Sequence, residues 1–230
     1  MTQTLFSYIQ HSPTPFHAVA ETAARLEAKG ATRLNEAQSW SLESGKRYFT
    51  VRGGTSLIAW RQPTGKGLGW RMTAAHSDSP SFRIKSASVR QGCTMLNTEG
   101  YGGALRSTWM DRPLGIAGRV SIATPDGIVT RLVDMGGRCA VMPSLAIHMD
   151  RKANDGHTFD PKKDTQALFG LGSDETCYLT ALANCAGCKP QDILGSDMQL
   201  YCSESPGLAG DGDALVLSPR LDDLACAWAA

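Results

Sequence analysis

The sequence predicts an α/β domain that is interrupted by a mostly β module. Helix and strand patterns alternate at both ends of the chain, whereas the middle is richer in glycine and in short strand-like runs. The predicted segments are residues 1–85 for the first part of the α/β domain, 86–206 for the inserted module and 207–230 for the second part of the domain. With 230 residues and 42% hydrophobic content, the chain can bury a sizeable core.

The first predicted element is an amphipathic helix in "SPTPFHAVAETAARLEAKG". Thr14 can cap it, Pro15 suits its first position, and Gly30 ends it. The stretches "RYFTVR", "TSLIAWR" and "LGWRMTAA" follow as three β-rich runs divided by glycine-containing turns, and they predict adjacent strands of one sheet. The third of these strands would deliver its C-terminal end to "AHSDSP".

The inserted module contains an apparent hairpin, in which "GRVSIAT" and "GIVTRLVDM" are joined at Pro125-Asp126-Gly127. Further along, "SDETCYLTALANCAG" predicts a helix and "DMQLYCS" a strand. The chain then returns to a strand and a helix in "DALVLSPRLDDLACAW". The alternation predicts that the chain leaves the α/β domain and later re-enters it.

Charge and cysteine usage limit the function classes. With 23 basic and 22 acidic residues, the chain gives no electrostatic reason to expect nucleic acid or an anionic membrane as a partner. Seven scattered cysteines fit reduced thiols better than a disulfide scaffold. The stretch "MTQTLFSYIQ" has no basic region and no long apolar region, and no apolar run approaches the length of a transmembrane helix, so we expect a cytoplasmic protein. Cys185 and Cys188 in "NCAGC" could be a redox dithiol or half of a zinc ribbon, but small residues closing a helix are favoured.

Two stretches carry candidate metal ligands. His76 and Asp78 follow a predicted strand, and Asp222 and Asp223 follow another. Taken singly, each pair is better explained as a turn or a helix cap. Taken together, an imidazole and a carboxylate at one sheet edge are the beginning of a zinc site, and two metals would need a bridging carboxylate and further ligands.

Several long motifs in the same order resemble the aspartyl aminopeptidase family of dinuclear zinc exopeptidases. The resemblance runs from end to end, through "SPTPFHAV", "AHSDSP", "NTEGYGGALRSTWMDRPLGIAGRV", "MPSLAIHMDR", "DMQLY" and "SPRLDD". It implies a zinc-exopeptidase-like α/β/α catalytic domain, made of 1–85 and 207–230, and an inserted dimerisation domain at 86–206. The implied activity is removal of N-terminal, acidic residues from peptides by a homo-oligomer.

The resemblance also assigns roles to residues. His76 is implied to be a zinc ligand, Asp78 to orient it, and Asp222 to bridge two zinc ions. His148 is implied to reach into the active site of a neighbouring subunit. The family often has Asn where this chain has Asp223, which we expect only to cap the helix. Because His and carboxylate ligands also accept Mn or Co, the metal stays open.

The family carries its Glu-Glu pair, a further Asp ligand and a final His ligand after the SPRLD motif, and this sequence has no counterpart of them. We therefore expect a truncated aminopeptidase that binds zinc poorly and is inactive alone, with the Leu224 to Trp228 face exposed. Two alternatives are a non-catalytic oligomerising protein of the same family and a thiol-active protein using Cys185 and Cys188. The second alternative requires a thiolate of lowered pKa.

Overall fold

The protein is described by a computed structural model that covers residues 2–65, 69–172 and 174–230. The chain folds into two compact units, which are Met1–Ser79 with Ser205–Ala230 (unit 1) and Pro80–Glu204 (unit 2). The catalytic and dimerisation roles that the sequence analysis gave to its segments stay predictions.

The described residues contain both helices and strands, and the fold is mixed α/β as predicted. The helices are α1 (Thr2–Gln10), α2 (Pro15–Ala28), α3 (Cys177–Ala186) and α4 (Leu221–Ala229). The strands are β1 (Thr32–Arg33), β2 (Arg47–Arg52), β3 (Ser56–Arg61), β4 (Ser81–Arg90), β5 (Cys93–Tyr101), β6 (Leu114–Thr124), β7 (Gly127–Asp134), β8 (Ala167–Leu171), β9 (Ile193–Cys202), β10 (Gly207–Ala209) and β11 (Leu215–Leu217).

Unit 1 contains a three-stranded sheet in the order β1-β2-β3 and the antiparallel pair β10-β11. Helix α2 confirms the first predicted helix, with Pro15 in its first turn. Ala23 of this helix shares a buried cluster with Phe49 of the sheet. The Thr14 side chain makes no capping bond; its hydroxyl lies 2.8 Å from His17 Nδ1 instead.

The predicted strand in "LGWRMTAA" is wrong. Leu68 lies outside the described residues, and residues 69–75 form no regular structure. Trp70 is 58% exposed and Met72 is 91% exposed, so this apolar run has no buried face. A strand needs a paired neighbour, and in the described part of unit 1 strand β3 pairs only with β2. The other two predicted strands, β2 and β3, are confirmed.

Helix α1 was not predicted, and it covers the face of α4 that was expected to be exposed. Leu224 is 1% exposed and shares a buried cluster with Tyr8, Ile9 and Ala18. Trp228 packs partly buried against the same cluster. The expectation of an exposed Leu224 to Trp228 face is therefore wrong, because the first turns of the chain supply the apolar side chains that cover it.

Unit 2 is built on a six-stranded sheet in the order β7-β6-β9-β4-β5-β8, with every neighbouring pair antiparallel. The predicted hairpin is confirmed, since Thr124 of β6 pairs with Gly127 of β7. One face of the sheet forms the main buried cluster, which includes Phe82, Ile116 and Leu200. Helix α3 contributes Leu182 to this cluster and confirms the predicted helix, of which Ser173 lies outside the described residues.

The end of helix α3 agrees with the interpretation of "NCAGC" as small residues that close a helix. Gly187 adopts a left-handed conformation with φ of 66°, and the Cys188 N–H donates to the Ala183 carbonyl at 3.0 Å. Cys185 and Cys188 therefore lie at a glycine-terminated helix end. Within the described ranges, no helix is both long and apolar enough to cross a membrane.

Candidate metal site

The candidate site lies in unit 1, where His76 meets the start of helix α4. His76 belongs to the irregular segment after β3, so no strand end positions it. Its backbone N–H instead donates a hydrogen bond to Asp223 Oδ2 at 3.1 Å, although 147 positions separate the two residues. Asp222 and Asp223 have non-helical backbone angles at the beginning of α4, and the peptide bond between them is cis. The α4 carboxylates thus face the His76 segment directly.

The contacts of His76 define its tautomer. Nδ1 lies 3.0 Å from Asp78 Oδ1 and 3.1 Å from the Asp78 carbonyl oxygen, and both of these atoms are acceptors. Nδ1 therefore carries the hydrogen, which leaves the Nε2 lone pair available on the opposite side of the ring. A metal-ligating histidine usually donates the N–H of its other ring nitrogen to a carboxylate or a carbonyl oxygen, as His76 Nδ1 does to Asp78.

The available nitrogen faces two carboxylates. Nε2 of His76 lies 3.4 Å from Asp222 Oδ1 and 3.7 Å from Asp223 Oδ2. Two ligand atoms of a tetrahedral zinc, each about 2.1 Å from the metal, are separated by about 3.4 Å. In the described part of the chain, His76, Asp222 and Asp223 are the group of metal-ligating side chains close enough to share one ion. The donor set, one nitrogen and two carboxylate oxygens, fits zinc.

Electrostatics at the site favour a cation. Partial burial acts to lower the pKa of His76, but the hydrogen bond to the Asp78 carbonyl and the charges of Asp223 and Asp78 outweigh it, so the net effect raises the pKa. Three carboxylates surround one imidazole, and a positive charge near Nε2, whether a proton or a metal ion, relieves their mutual repulsion. The Asp222 side chain is 75% exposed, which leaves the site open on that side.

Sequence reasoning missed the part played by Asp223. It was expected only to cap α4, yet its carboxylate accepts from the His76 N–H and its side chain is 16% exposed. The Cys226 thiol also donates to Asp223, and this hydrogen bond raises the pKa of Cys226. The "DD" pair gave no signal that distinguished the two acids, because the partner of Asp223 is remote in sequence.

The remaining predicted site residue, His148, lies in unit 2. It occupies an exposed turn at residues 147–149 and belongs to no helix or strand. The structure of a single chain does not test its predicted role in a neighbouring subunit.

The thiol alternative finds no support in the structure. Burial and the charge of Asp134 raise the pKa of Cys185 rather than lowering it, and its thiol donates to the Asp134 carbonyl at 3.3 Å. A reactive cysteine needs the opposite, a thiolate stabilised by nearby positive charge. The surroundings of Cys185 therefore do not favour thiol chemistry.

Solved structures share this fold. The chain aligns with a chain of the structure described as "Cryo-EM structure of the Ape4 and Nbr1 complex" at a TM-score of 0.92 and 31% identity, covering 97% of this chain and 48% of that one. Chaetomium thermophilum mApe1 aligns at a TM-score of 0.90 and 27% identity, covering 99% and 56%. The "S. cerevesiae mApe1 dodecamer" shares the fold at a TM-score of 0.81 and 24% identity, covering 99% and 54%.

Together with the donor cluster, these likenesses define the class of protein, which is an α/β protein with the fold of peptidases. The chain belongs to the M18 family, since residues 8–230 match the family described as "Aminopeptidase I zinc metalloprotease (M18)". "Probable M18 family aminopeptidase 2" of Pseudomonas aeruginosa is 37% identical over 234 residues, covering 97% of this chain and 54% of that protein. That of Ectopseudomonas mendocina is 36% identical over 238 residues, covering 99% and 55%. The chain spans about half the length of these relatives.

Proposed function

We propose that this chain supplies part of the active site of a zinc aminopeptidase that removes acidic N-terminal residues from peptides. The observation that carries the proposal is the arrangement of His76 Nε2 against the carboxylates of Asp222 and Asp223, with Asp78 on the outer nitrogen. Membership of the M18 family supports the metal and the reaction class. The acidic preference rests on the resemblance of the motifs to aspartyl aminopeptidases.

Each side chain has a distinct role in this proposal. His76 and Asp222 would hold zinc, and the resemblance of the SPRLD motif gives Asp222 the role of the ligand shared by two ions. Asp78 keeps the proton on His76 Nδ1 so that Nε2 stays a lone-pair donor. Asp223 holds the His76 backbone beside the carboxylates. Bound zinc would supply a water of lowered pKa and positive charge for the oxyanion of peptide hydrolysis.

The donor count limits what the chain does alone. A catalytic zinc takes three protein ligands, and two ions need more donors than His76, Asp222 and Asp223 offer. We propose that the 230-residue chain holds at most one zinc weakly and that activity requires donors from outside it. Manganese or cobalt could replace zinc at such ligands. The predicted cytoplasmic location stays a prediction.

Zinc titration of the 230-residue chain tests the site. We expect weak binding of no more than one ion, weakened about 10-fold or more by Asp222→Asn or His76→Gln and by about 10–100-fold by Asp78→Ala. Matched controls are Asp211→Asn and His11→Gln, which change exposed residues of unit 1 and should leave the affinity unchanged. Equal affinity of Asp222→Asn and the unaltered chain would refute the site, and two tightly held ions would refute the donor count.

His148 is proposed to act across subunits of a homo-oligomer. The mApe1 relative that is described as a dodecamer supports an oligomer for this chain. In an active form of the protein, His148→Ala should lose most activity and keep its zinc, and mixing it with Asp222→Ala should restore part of the activity. One site of such a hybrid receives intact ligands from one chain and His148 from the other. Proven subunit exchange without any return of activity would exclude the role in trans.

The acidic preference is tested separately, with aminoacyl amides that differ only in the first residue. In an active form, aspartyl and glutamyl substrates should have the higher kcat/KM, and leucyl and lysyl substrates should be poor. A leucyl preference would leave the aminopeptidase assignment in place and remove the acidic specificity.

A further inference from the structure

Two contacts on either side of the Asp222-Asp223 pair connect the start of α4 to helix α1. On one side, Arg220 Nη2 donates a hydrogen bond to the Ile9 carbonyl oxygen at 3.1 Å. On the other side, Leu224 is 1% exposed in a cluster that contains Ile9. The two acidic residues therefore lie between two contacts that share one residue of α1, and Ile9 itself is fully buried.

The Ile9 carbonyl is a favourable place for a positive charge. Ile9 lies in the last turn of α1, where the helix dipole presents its negative end. Its carbonyl oxygen accepts one hydrogen bond from the Ser12 N–H at 3.1 Å and has a second lone pair for a charged donor. The guanidinium of Arg220 supplies a charged donor there. This contact joins residues 211 positions apart and fixes the point at which the chain enters α4.

Arg220 has a backbone conformation that is unfavourable for a residue with a side chain. Its φ is 56°, in the left-handed region that glycine adopts freely and that residues with a Cβ atom avoid. An arginine in this position carries a conformational cost that glycine would not. The contact of the side chain with the Ile9 carbonyl is one interaction that can offset this cost.

We propose that Arg220 is a positioning residue for the candidate metal site. Through Ile9 it holds the start of α4, and with it the carboxylates of Asp222 and Asp223, opposite His76. The link to metal rests on the proposed function. The positioning itself concerns the hydrogen bond from the His76 N–H to Asp223, in which both partners belong to the protein.

Amide hydrogen exchange of the full 230-residue chain tests the positioning. Arg220→Gly removes the side chain and relieves the left-handed backbone, so the global stability should change little. The His76 amide should nevertheless exchange about 10-fold faster, because its acceptor on Asp223 is no longer held. The Phe49 amide in the sheet of unit 1 should stay within about twofold of its original rate. Arg220→Lys keeps a charged donor and should keep His76 within about threefold.

Arg25→Ala is the matched control, since Arg25 also donates to a carbonyl of α1, that of Thr4, at 3.2 Å. It should leave the ratio of His76 to Phe49 exchange unchanged. Acceleration of both amides by the same factor in Arg220→Gly would show a general stabilising role and overturn the proposal. An unchanged His76 amide would overturn it as well.

Zinc titration separates this inference from the proposed function. If the unaltered chain binds zinc, Arg220→Gly should weaken binding about 10-fold and Arg25→Ala should not. If the His76 amide exchanges faster in Arg220→Gly but neither the unaltered chain nor any variant binds zinc, the positioning role of Arg220 is supported and the proposed metal site is refuted. If Arg220→Gly changes neither the zinc affinity nor the His76 exchange rate, the positioning role of Arg220 is refuted and the proposed metal site is unaffected.

Discussion

Truncation of Leu224 to alanine should destabilise unit 1 strongly. The side chain is 1% exposed, so the change removes three carbon groups from a buried site, worth about 2.4 kcal/mol at about 0.8 kcal/mol each. A cavity among Tyr8, Ile9 and Ala18 adds to this cost, because these side chains can close over it only in part. We expect a total loss of about 3–4 kcal/mol in the free energy of unfolding.

Equilibrium urea denaturation measures this loss. Trp228 packs against the same cluster, so tryptophan fluorescence should report the transition. With a urea dependence of about 1.5 kcal/mol per molar, the midpoint should fall by about 2 M. Leu217→Ala is the control, since Leu217 is 61% exposed and its truncation should cost no more than about 0.5 kcal/mol. A loss below about 1 kcal/mol for Leu224→Ala would refute the packing of α4 on α1.

Two further predictions concern unit 2. Gly115→Ala should destabilise it by about 1–3 kcal/mol in urea denaturation, because a Cβ atom would lie 2.2 Å from the Tyr201 ring. Gly195→Ala, with open space around it, should be close to neutral, and equal effects would contradict the steric argument. Tyr178→Phe should leave stability at about pH 7 unchanged or raise it by up to about 1 kcal/mol, because its buried hydroxyl has no hydrogen-bond partner among the described residues. Burial raises the pKa of Tyr178, so the unfolded chain loses this proton first and stability should fall as the pH rises above about 10. Denaturation of the variant should show a smaller alkaline loss than the unaltered chain.

Local patterns were sufficient where the structure is determined by near neighbours. Helix α2 was predicted from Pro15 and its apolar spacing, and the β6-β7 hairpin from its two-residue turn. The patterns that predict the two elements are local, although the folded elements also have distant partners, since β6 pairs with β9 and α2 packs on Phe49. Helix α1 was missed because its nine residues include several polar ones, and its apolar side chains become informative only when α4 packs on them.

The candidate site shows the limit of sequence reasoning more sharply. His76, Asp78 and Asp222 were identified as candidates, and the structure places each of the two carboxylates within contact distance of His76. The predicted position of His76 at a strand end was wrong, since His76 follows no strand and its backbone N–H is held by Asp223. The hydrophobic run before His76 resembles a strand, but pairing depends on remote neighbours that a local pattern does not reveal.

The strand pairing at the two ends of unit 2 lowers the entropic cost of assembling the site. His76 and Asp223 are 147 positions apart, but Phe82 at the start of β4 pairs with Leu200 near the end of β9. Once that pair has formed, the flexible path between the two site residues is only about 29 residues, which lowers the loop-closure free energy by about 1.4 kcal/mol. The strand pairing within unit 2 thus shortens the flexible segment that must close when His76 meets Asp223.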